Sequence, residues 1–145
     1  MLEFWEIADG FVMKFRSGTG FDVHRITQDR PLVIGGVRID VPFGLDGHSD
    51  ADVLCHAIMD ALLGSVADGD IGRHFPPDDN TWKDADSLLL LGRVSERLRG
   101  SKAEIVNVDS TVIAERPRLS GHIAEMRNKL AASMGVETEA VSVKA

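Results

Sequence analysis

This sequence has a single cysteine, no tyrosine and no long apolar run. Cys55 is the only cysteine among 145 residues, so the chain can form no internal disulfide and no metal site made of several cysteines. No apolar run approaches the length of a membrane span, and the opening residues are acidic where an export signal would be basic. We therefore expect a cytoplasmic protein that has no membrane partner.

Positive charge is also scarce. Lys and Arg together number 16 against 23 Asp and Glu, which gives a net charge of −7, and the basic residues are scattered rather than clustered. This balance argues against nucleic acid as a partner. A phosphorylated small molecule could still bind, but a metal ion or a few placed basic groups would have to offset the repulsion.

The length and the hydrophobic patterning predict one α+β domain. Apolar residues make up 43% of the chain, enough for one core. We expect a two-layer sandwich in which helices cover one face of a mixed sheet of about four strands, leaving the other face to be buried by oligomerisation. The predicted strands are 14–23, 32–34, 37–39, 105–114 and 140–145, and the predicted helices are 49–65, 86–99 and 119–134.

Two of these elements have clear local signals. The pair Gly35-Gly36 between two short apolar runs predicts a tight hairpin. Ser49 can cap the first helix, with Asp52 three positions on, and an apolar stripe follows at helical spacing. This stripe consists of Val53, Leu54, Ala57, Ile58, Ala61 and Leu62.

The richest concentration of chemistry lies between residues 22 and 60. Asp22 and His24 are two apart, so on an extended segment both side chains leave the same face. His48 precedes the first helix and His56 lies within it, and one or both can converge on this pair. One Asp and two His form a three-ligand zinc site with one open position, which is typical of catalytic zinc. Each His alone could equally be an ordinary surface or core residue.

Two further segments allow both a functional and an ordinary interpretation. The turn from Asp68 to Gly72 could present a carboxylate and free amides to a ribose or phosphate, or it could be only a turn. Arg116-Pro117-Arg118 precedes a helix and could meet a phosphate, or it could be solvated. We expect Cys55 to pack in the core and His122 to have no catalytic role.

The chain resembles one family closely, that of 2-C-methyl-D-erythritol 2,4-cyclodiphosphate synthase. The resemblance extends from Arg16 to Ala145, with its motifs in the family's order and spacing. They include Gly18-Thr19-Gly20-Phe21-Asp22-Val23-His24, Gly35-Gly36-Val37-Arg38-Ile39, His48-Ser49-Asp50-Ala51-Asp52-Val53, His56-Ala57, Gly69-Asp70-Ile71-Gly72, Phe75-Pro76 and Val143-Lys144-Ala145.

The resemblance implies specific roles for the site residues. Asp22, His24 and His56 would hold one zinc ion per subunit. His48 and Ser49 would lie in a mobile loop at the methylerythritol end of the substrate, with His48 counted among the catalytic residues. Asp70, together with Gly72, would bind the substrate's hydroxyls, and a cytidine pocket would be formed by Ala114, Pro117, Arg118 and Leu119.

The resemblance also implies a lyase of the non-mevalonate isoprenoid pathway. The enzyme would be a homotrimer with active sites between subunits. It would convert 4-diphosphocytidyl-2-C-methyl-D-erythritol 2-phosphate to the 2,4-cyclodiphosphate and CMP, with zinc and a second ion, Mg²⁺ or Mn²⁺. The alternatives are a zinc-dependent phosphoester hydrolase and a cytidine-nucleotide-binding protein without catalysis.

Two features of the chain depart from the family pattern. After Val-Lys-Ala the family continues with a Thr-rich stretch and a last strand, so we expect 13–145 to be one catalytic domain lacking its C-terminal segment. Residues 1–12 would be an N-terminal extension or a cloning remnant. Pro77 stands where many relatives have an acid, and Asp78 or Asp79 can substitute for it.

Overall fold

A computed structural model of the chain describes residues 14–145. The expectation for residues 1–12 lies outside the described residues. The helices are α1 (Val53–Ser65), α2 (Ile71–His74), α3 (Ser87–Gly100) and α4 (Ile123–Met134). The strands are β1 (Ile26–Thr27), β2 (Leu32–Ile34), β3 (Val37–Ile39), β4 (Gly44–Leu45), β5 (Val108–Thr111) and β6 (Val141–Lys144). Two 3-10 turns lie at Asn80–Trp82 and Thr138–Ala140.

The strands pair in three ladders of two strands each within residues 14–145. β1 pairs antiparallel with β4, β2 antiparallel with β3, and β5 parallel with β6. The α+β class is confirmed. A continuous sheet of about four strands under one layer of helices is not confirmed, because the three ladders are not hydrogen-bonded to one another.

The hairpin between β2 and β3 forms as the sequence predicts. Gly35 and Gly36 have φ values of 58° and 71°, the left-handed conformation that both central residues of this tight turn require. The turn sets Leu32 opposite Ile39 and Ile34 opposite Val37. All four side chains are buried in the core.

The start of α1 differs from the prediction. Its N-cap is Asp52, whose carboxylate accepts hydrogen bonds from the backbone N–H groups of Leu54 and Cys55. Ser49 is not the cap, because its hydroxyl lies against the ring of His56 instead. A carboxylate at the N-cap also interacts favourably with the helix dipole.

The buried face of α1 is only partly the predicted stripe. Leu54, Ile58 and Leu62 are buried as expected, but the other core positions are Cys55, Met59 and Leu63. The helix packs on α3 and also contacts β2 and β5, so more than one side is covered. The remaining members of the predicted stripe, Val53, Ala57 and Ala61, are only partly buried.

The other elements fall near their predicted positions. α3 packs between α1 and α4, and α4 packs on β6. α4 ends at Gly135, whose φ of 67° is a left-handed cap, as predicted. The segment 14–23, predicted as a strand, joins no ladder. Within the described residues, no helix has the length and apolar character needed to cross a membrane.

Candidate metal centre

Asp22, His24 and His56 converge on one point of the surface. Each offers a ligand atom, and the three atoms lie within 4.8 Å of one another. Asp22 Oδ2 is 2.9 Å from His24 Nε2 and 2.9 Å from His56 Nδ1. Among the residues that the structure describes, this is the group of His, Cys, Asp and Glu side chains whose geometry suits a metal ion.

Two elements bring these groups together. Asp22 and His24 belong to an extended segment before β1, where Phe21 and Val23 point outward and the two polar side chains are half-buried. His56 is in the first turn of α1 and is 7% exposed. The predicted shared face of Asp22 and His24 is therefore observed.

Glycine allows the extended segment to lie directly on α1. A Cβ atom on Gly18 would be 1.9 Å from the carbonyl oxygen of Ala61, and one on Gly20 would be 1.9 Å from that of Ala57. Both distances are far below any non-bonded contact, so only glycine, which has no Cβ, fits at these positions. This close approach places Asp22 beside His56 on the neighbouring helix.

Each imidazole has a second partner on its outer nitrogen. His24 Nδ1 contacts the backbone carbonyl oxygen of Asp46. His56 Nε2 lies 2.9 Å from Ser49 Oγ and 3.2 Å from Ser87 Oγ. Outer contacts of this kind orient the rings of metal-binding histidines.

The donor set fits a divalent metal ion. A carbonyl oxygen only accepts hydrogen bonds, so His24 Nδ1 carries a hydrogen, and Nε2, the atom beside the Asp22 carboxylate, is the ring nitrogen left to bind a metal. Ligands around a tetrahedral zinc ion are about 3.3 Å apart, close to the observed 2.9 Å.

The electrostatics of Asp22 agree with this interpretation. Partial burial alone would raise the pKa of Asp22, but the close contact with His56 and the proximity of both imidazoles outweigh it and lower the pKa below its usual value. The carboxylate is therefore ionised at neutral pH and can act as a metal ligand.

His48 and Ser49 lie beside the centre without joining the three-atom cluster. The backbone oxygen of His48 accepts a hydrogen bond from the N–H of Asp84 at 2.8 Å. Arg30 donates to the carbonyl oxygens of Gly47 and Ser49 and holds this loop. Ser49 is 7% exposed, and its hydroxyl contacts His56. Their predicted contacts with a substrate stay predictions.

The loop of Asp70 and Gly72 is attached to α1. Asp60 Oδ1 accepts a hydrogen bond from the N–H of Ile71 at 2.8 Å, and Asp60 lies one turn after His56. Burial raises the pKa of Asp60, against the lowering effect of this bond. Asp70 caps α2 through Arg73 N at 3.1 Å and is exposed, as is Gly72.

The predicted cytidine segment is largely exposed. Ala114 and Arg118 are exposed, Pro117 is half-buried and Leu119 is buried. In residues 14–145 no hydrogen bond or ion pair joins this segment to the metal cluster. Arg116 and Pro117 instead border a surface cleft whose other lining residues are Ile26, Gln28, Val41, Pro42 and Phe43.

Sequence reasoning assigned no role to several contributors to the site, although Ser87 lies in the motif Ala85-Asp86-Ser87, which also follows the family's order. Ser87 lies at the start of α3, 31 residues after His56, and touches its ring. Asp46 holds His24 through a backbone oxygen, which no side-chain pattern reveals. Of the two acids after Pro77, Asp79 caps the 3-10 turn through Thr81 N at 2.9 Å.

The fold and the cluster together define a class: a small α+β domain with one carboxylate and two imidazoles gathered as a candidate metal centre. The model of the YgbB family matches residues 15–145. A 2-C-methyl-D-erythritol 2,4-cyclodiphosphate synthase of Synechococcus elongatus is 52% identical over 132 residues, covering 91% of this chain and 82% of that protein. The chain therefore belongs to the YgbB family, whose curated relatives are 2-C-methyl-D-erythritol 2,4-cyclodiphosphate synthases.

Solved structures agree with this assignment. A CDP-bound 2C-methyl-D-erythritol-2,4-cyclodiphosphate synthase is 31% identical with a TM-score of 0.80, covering 89% of this chain and 86% of that one. The bifunctional IspDF of Campylobacter jejuni is 37% identical with a TM-score of 0.83. The match covers 90% of this chain and 35% of that larger protein, about a third of its length.

Proposed function

We propose that this chain converts 4-diphosphocytidyl-2-C-methyl-D-erythritol 2-phosphate to 2-C-methyl-D-erythritol 2,4-cyclodiphosphate and CMP. The observation that carries the proposal is the convergence of Asp22, His24 and His56 in a chain that is 52% identical to a named synthase. This makes it a lyase of the non-mevalonate isoprenoid pathway. The proposed substrate agrees with the CDP named in one related structure.

The reaction is an intramolecular phosphoryl transfer. An oxygen of the substrate's 2-phosphate forms a bond to the β-phosphorus, and the bond from the β-phosphorus to the α-phosphate oxygen breaks. CMP leaves with that oxygen, and the ring closes. No protein nucleophile is needed, so the residues contribute by positioning the two phosphates and stabilising charge.

Asp22, His24 and His56 are proposed to hold Zn²⁺. When bound, this ion would supply Lewis-acid polarisation of a phosphate oxygen, and a second divalent ion, Mg²⁺ or Mn²⁺, would neutralise diphosphate charge. The side chains of Asp22, His24 and His56 are 21%, 17% and 9% exposed, so the cluster is reachable from solvent on one side. The net charge of −7 is consistent with a need for such local cations.

The neighbouring loops are proposed to orient the sugar phosphate. His48 would contact the reacting phosphate, and the Ser49 and Gly72 segments would contact the methylerythritol end. The exposed Asp70 carboxylate would accept hydrogen bonds from hydroxyl groups. The bond from Ile71 N to Asp60 supports this arrangement, because it fixes the Asp70 loop to the helix that carries His56.

We place the complete active site between subunits of a homotrimer. Ala114, Pro117, Arg118 and Leu119 would bind the cytidine phosphate, and this segment is not joined to the metal cluster of its own chain. Exposed apolar side chains provide an interface: Phe15, Phe21, Val23, Ile26, Val106 and Ile113 are between 67% and 93% exposed. A monomer would leave these side chains in water.

Product analysis in labelled water tests the reaction. The zinc-loaded chain, supplied with Mg²⁺ and the substrate, should yield CMP and the cyclic diphosphate in equal amounts with no solvent oxygen in either. His24→Ala should bind no zinc and form no product. The control His122→Ala changes a half-buried residue outside the cluster, so it should bind zinc and form product. Solvent oxygen in the products would instead mean a hydrolase.

A further inference from the structure

A chain of hydrogen bonds extends behind His56, on the side away from Asp22. Ser87 Oγ lies 2.5 Å from Asp50 Oδ1 and 3.2 Å from His56 Nε2. Ser49 Oγ lies 2.9 Å from the same ring nitrogen. Ser87 is fully buried and Ser49 is 7% exposed, so neither hydroxyl exchanges freely with water partners.

The charge on Asp50 determines which way the Ser87 hydroxyl points. An ionised carboxylate only accepts hydrogen bonds, so the Ser87 hydroxyl must donate its one hydrogen to Asp50. Asp50 is held for this task, because it also accepts from Ser87 N at 3.1 Å and from Asp52 N at 3.2 Å. A short bond to a charged acceptor is among the stronger hydrogen bonds in proteins.

With its hydrogen committed, Ser87 Oγ can only accept from the imidazole. A hydrogen on His56 Nε2 then has two acceptors, Ser87 Oγ at 3.2 Å and Ser49 Oγ at 2.9 Å, whereas Ser87 has no hydrogen left to donate to that nitrogen. Ser49 Oγ already accepts from Ala51 N at 3.2 Å, and its own hydrogen can turn to Ser87 at 3.4 Å. In this arrangement each of the two hydroxyls has both a donor and an acceptor partner.

We infer that Asp50 and Ser87 form a positioning pair. Asp50 orients the Ser87 hydroxyl, and Ser87 holds His56 in the tautomer whose Nδ1 is free to bind the metal. Nδ1 is the atom that faces Asp22, at 2.9 Å. Neither residue is one of the three proposed ligands, since Asp50 precedes α1 and Ser87 is the first residue of α3. This inference rests on the proposed function for the presence of the metal, but not on the reaction that follows.

The inference predicts an effect on the metal rather than on the fold. Removing the Ser87 hydroxyl leaves Ser49 as the only acceptor for His56 Nε2. The ring can then also adopt the other tautomer, in which Nδ1 carries the hydrogen and cannot bind a metal. Loss of an outer partner of a metal-binding histidine weakens metal binding by about 10- to 100-fold. Because Ser49 remains as an acceptor, we expect the lower end, about tenfold.

Zinc affinity of the metal-free full chain, measured by competition with a chromophoric chelator, tests the pair. Ser87→Ala should raise the Kd for zinc about tenfold. Ser95→Ala should not change it, because Ser95 is equally buried in α3 but donates to Leu91 O in its own helix. An unchanged Kd in Ser87→Ala would overturn the inference. Failure of the unaltered chain to bind zinc would instead overturn the proposed function.

A double-mutant cycle separates a pair that acts together from two independent structural effects. Asp50→Asn keeps the Ser87 hydroxyl but removes the charge that orients its hydrogen, so it should also weaken zinc binding. If Asp50 acts through Ser87, the double variant should bind zinc no more weakly than the weaker single variant. Losses that multiply would overturn the inference. The Co²⁺ absorption spectrum should change in Ser87→Ala and stay the same in Ser95→Ala.

Discussion

At the scale of single residues, Asp52 connects the hairpin to the helix that carries His56. Its buried carboxylate accepts hydrogen bonds from Gly35 N at 2.9 Å and Gly36 N at 2.6 Å, as well as from the N-terminal amides of α1. The side chain is 0% exposed. One carboxylate therefore satisfies the turn of the hairpin and the start of the helix together.

Replacing this acceptor should lower stability in a defined way. Asp52→Asn turns one oxygen into an N–H donor that faces other N–H donors, and an unsatisfied buried group costs about 1–3 kcal/mol. We expect the free energy of unfolding in urea to fall by that amount. Asp40→Asn, on an exposed residue beside the same hairpin, should stay within about 0.5 kcal/mol of the unaltered chain. Equal stability of both variants would contradict this role for Asp52.

Cys55 illustrates how a reactive residue type becomes a core residue. Burial, with the nearby charge of Asp52, raises the pKa of the Cys55 thiol well above its usual value. Its thiol also donates to Asp52 at 3.3 Å. Cys55 is fully buried, which confirms the prediction that it packs in the core. A protonated, buried thiol is also a poor nucleophile.

At the scale of elements, the contact between the segment of Asp22 and α1 determines whether the candidate metal centre can form. Gly18 and Gly20 lie over the carbonyl oxygens of Ala61 and Ala57, with no room for a side chain. Asp22 and His24 follow directly along the same segment. The separation between the two halves of the centre is therefore set by backbone packing.

Adding one methyl group at this contact should disturb the centre. Gly20→Ala would place a Cβ 1.9 Å from Ala57 O, so the segment must move and carry Asp22 away from His56. Displacing a ligand by about 1 Å should weaken zinc binding at least tenfold, measured by chelator competition. The matched control is Gly64→Ala in α1, where a Cβ meets nothing within 4 Å.

The control variant Gly64→Ala should be stabilised rather than disturbed. Gly64 lies in a helix and is exposed, so alanine there should raise the free energy of unfolding by roughly 0.5–1 kcal/mol and leave zinc binding unchanged. Normal zinc affinity in Gly20→Ala would contradict the packing argument.

At the scale of the whole molecule, two observations support the proposed assembly: the exposed apolar side chains, and the lack of any hydrogen bond or ion pair between the cytidine segment and the cluster within residues 14–145. Sedimentation should give a mass three times the 15.8 kDa of one chain. Ile113→Glu places a charge on the most exposed apolar side chain of that set, at 93%, and should dissociate the trimer and abolish CDP binding.

Zinc binding provides the internal comparison for this prediction. The three proposed ligands belong to one chain, so dissociated Ile113→Glu should still bind zinc. Leu89→Glu, on an exposed residue of α3, should remain trimeric. A native chain that sediments as a monomer would contradict the proposed assembly.

Much of this architecture follows from local sequence signals, and the rest does not. The Gly35-Gly36 hairpin and the Gly135 helix end depend on the φ values that glycine permits, so neighbouring residues suffice to predict them. The cap of α1 was wrongly assigned to Ser49, because Ser49 and Asp52 are equally good caps by type. Only the position of His56 shows that the Ser49 hydroxyl is engaged elsewhere.

The sequence by itself determined the class of the fold, the shared face of Asp22 and His24, and the family. Alternation in an extended segment and the spacing of motifs are properties of the chain alone. Spacing alone left His48 and His56 open and the resemblance favoured His56, which the structure brings to the pair, but only the tertiary structure decided that Ser87 and Asp46 hold the rings of the cluster. The physical reason is that these contacts join residues far apart in sequence, and their distances are set by how α1, α3 and the glycine segment pack.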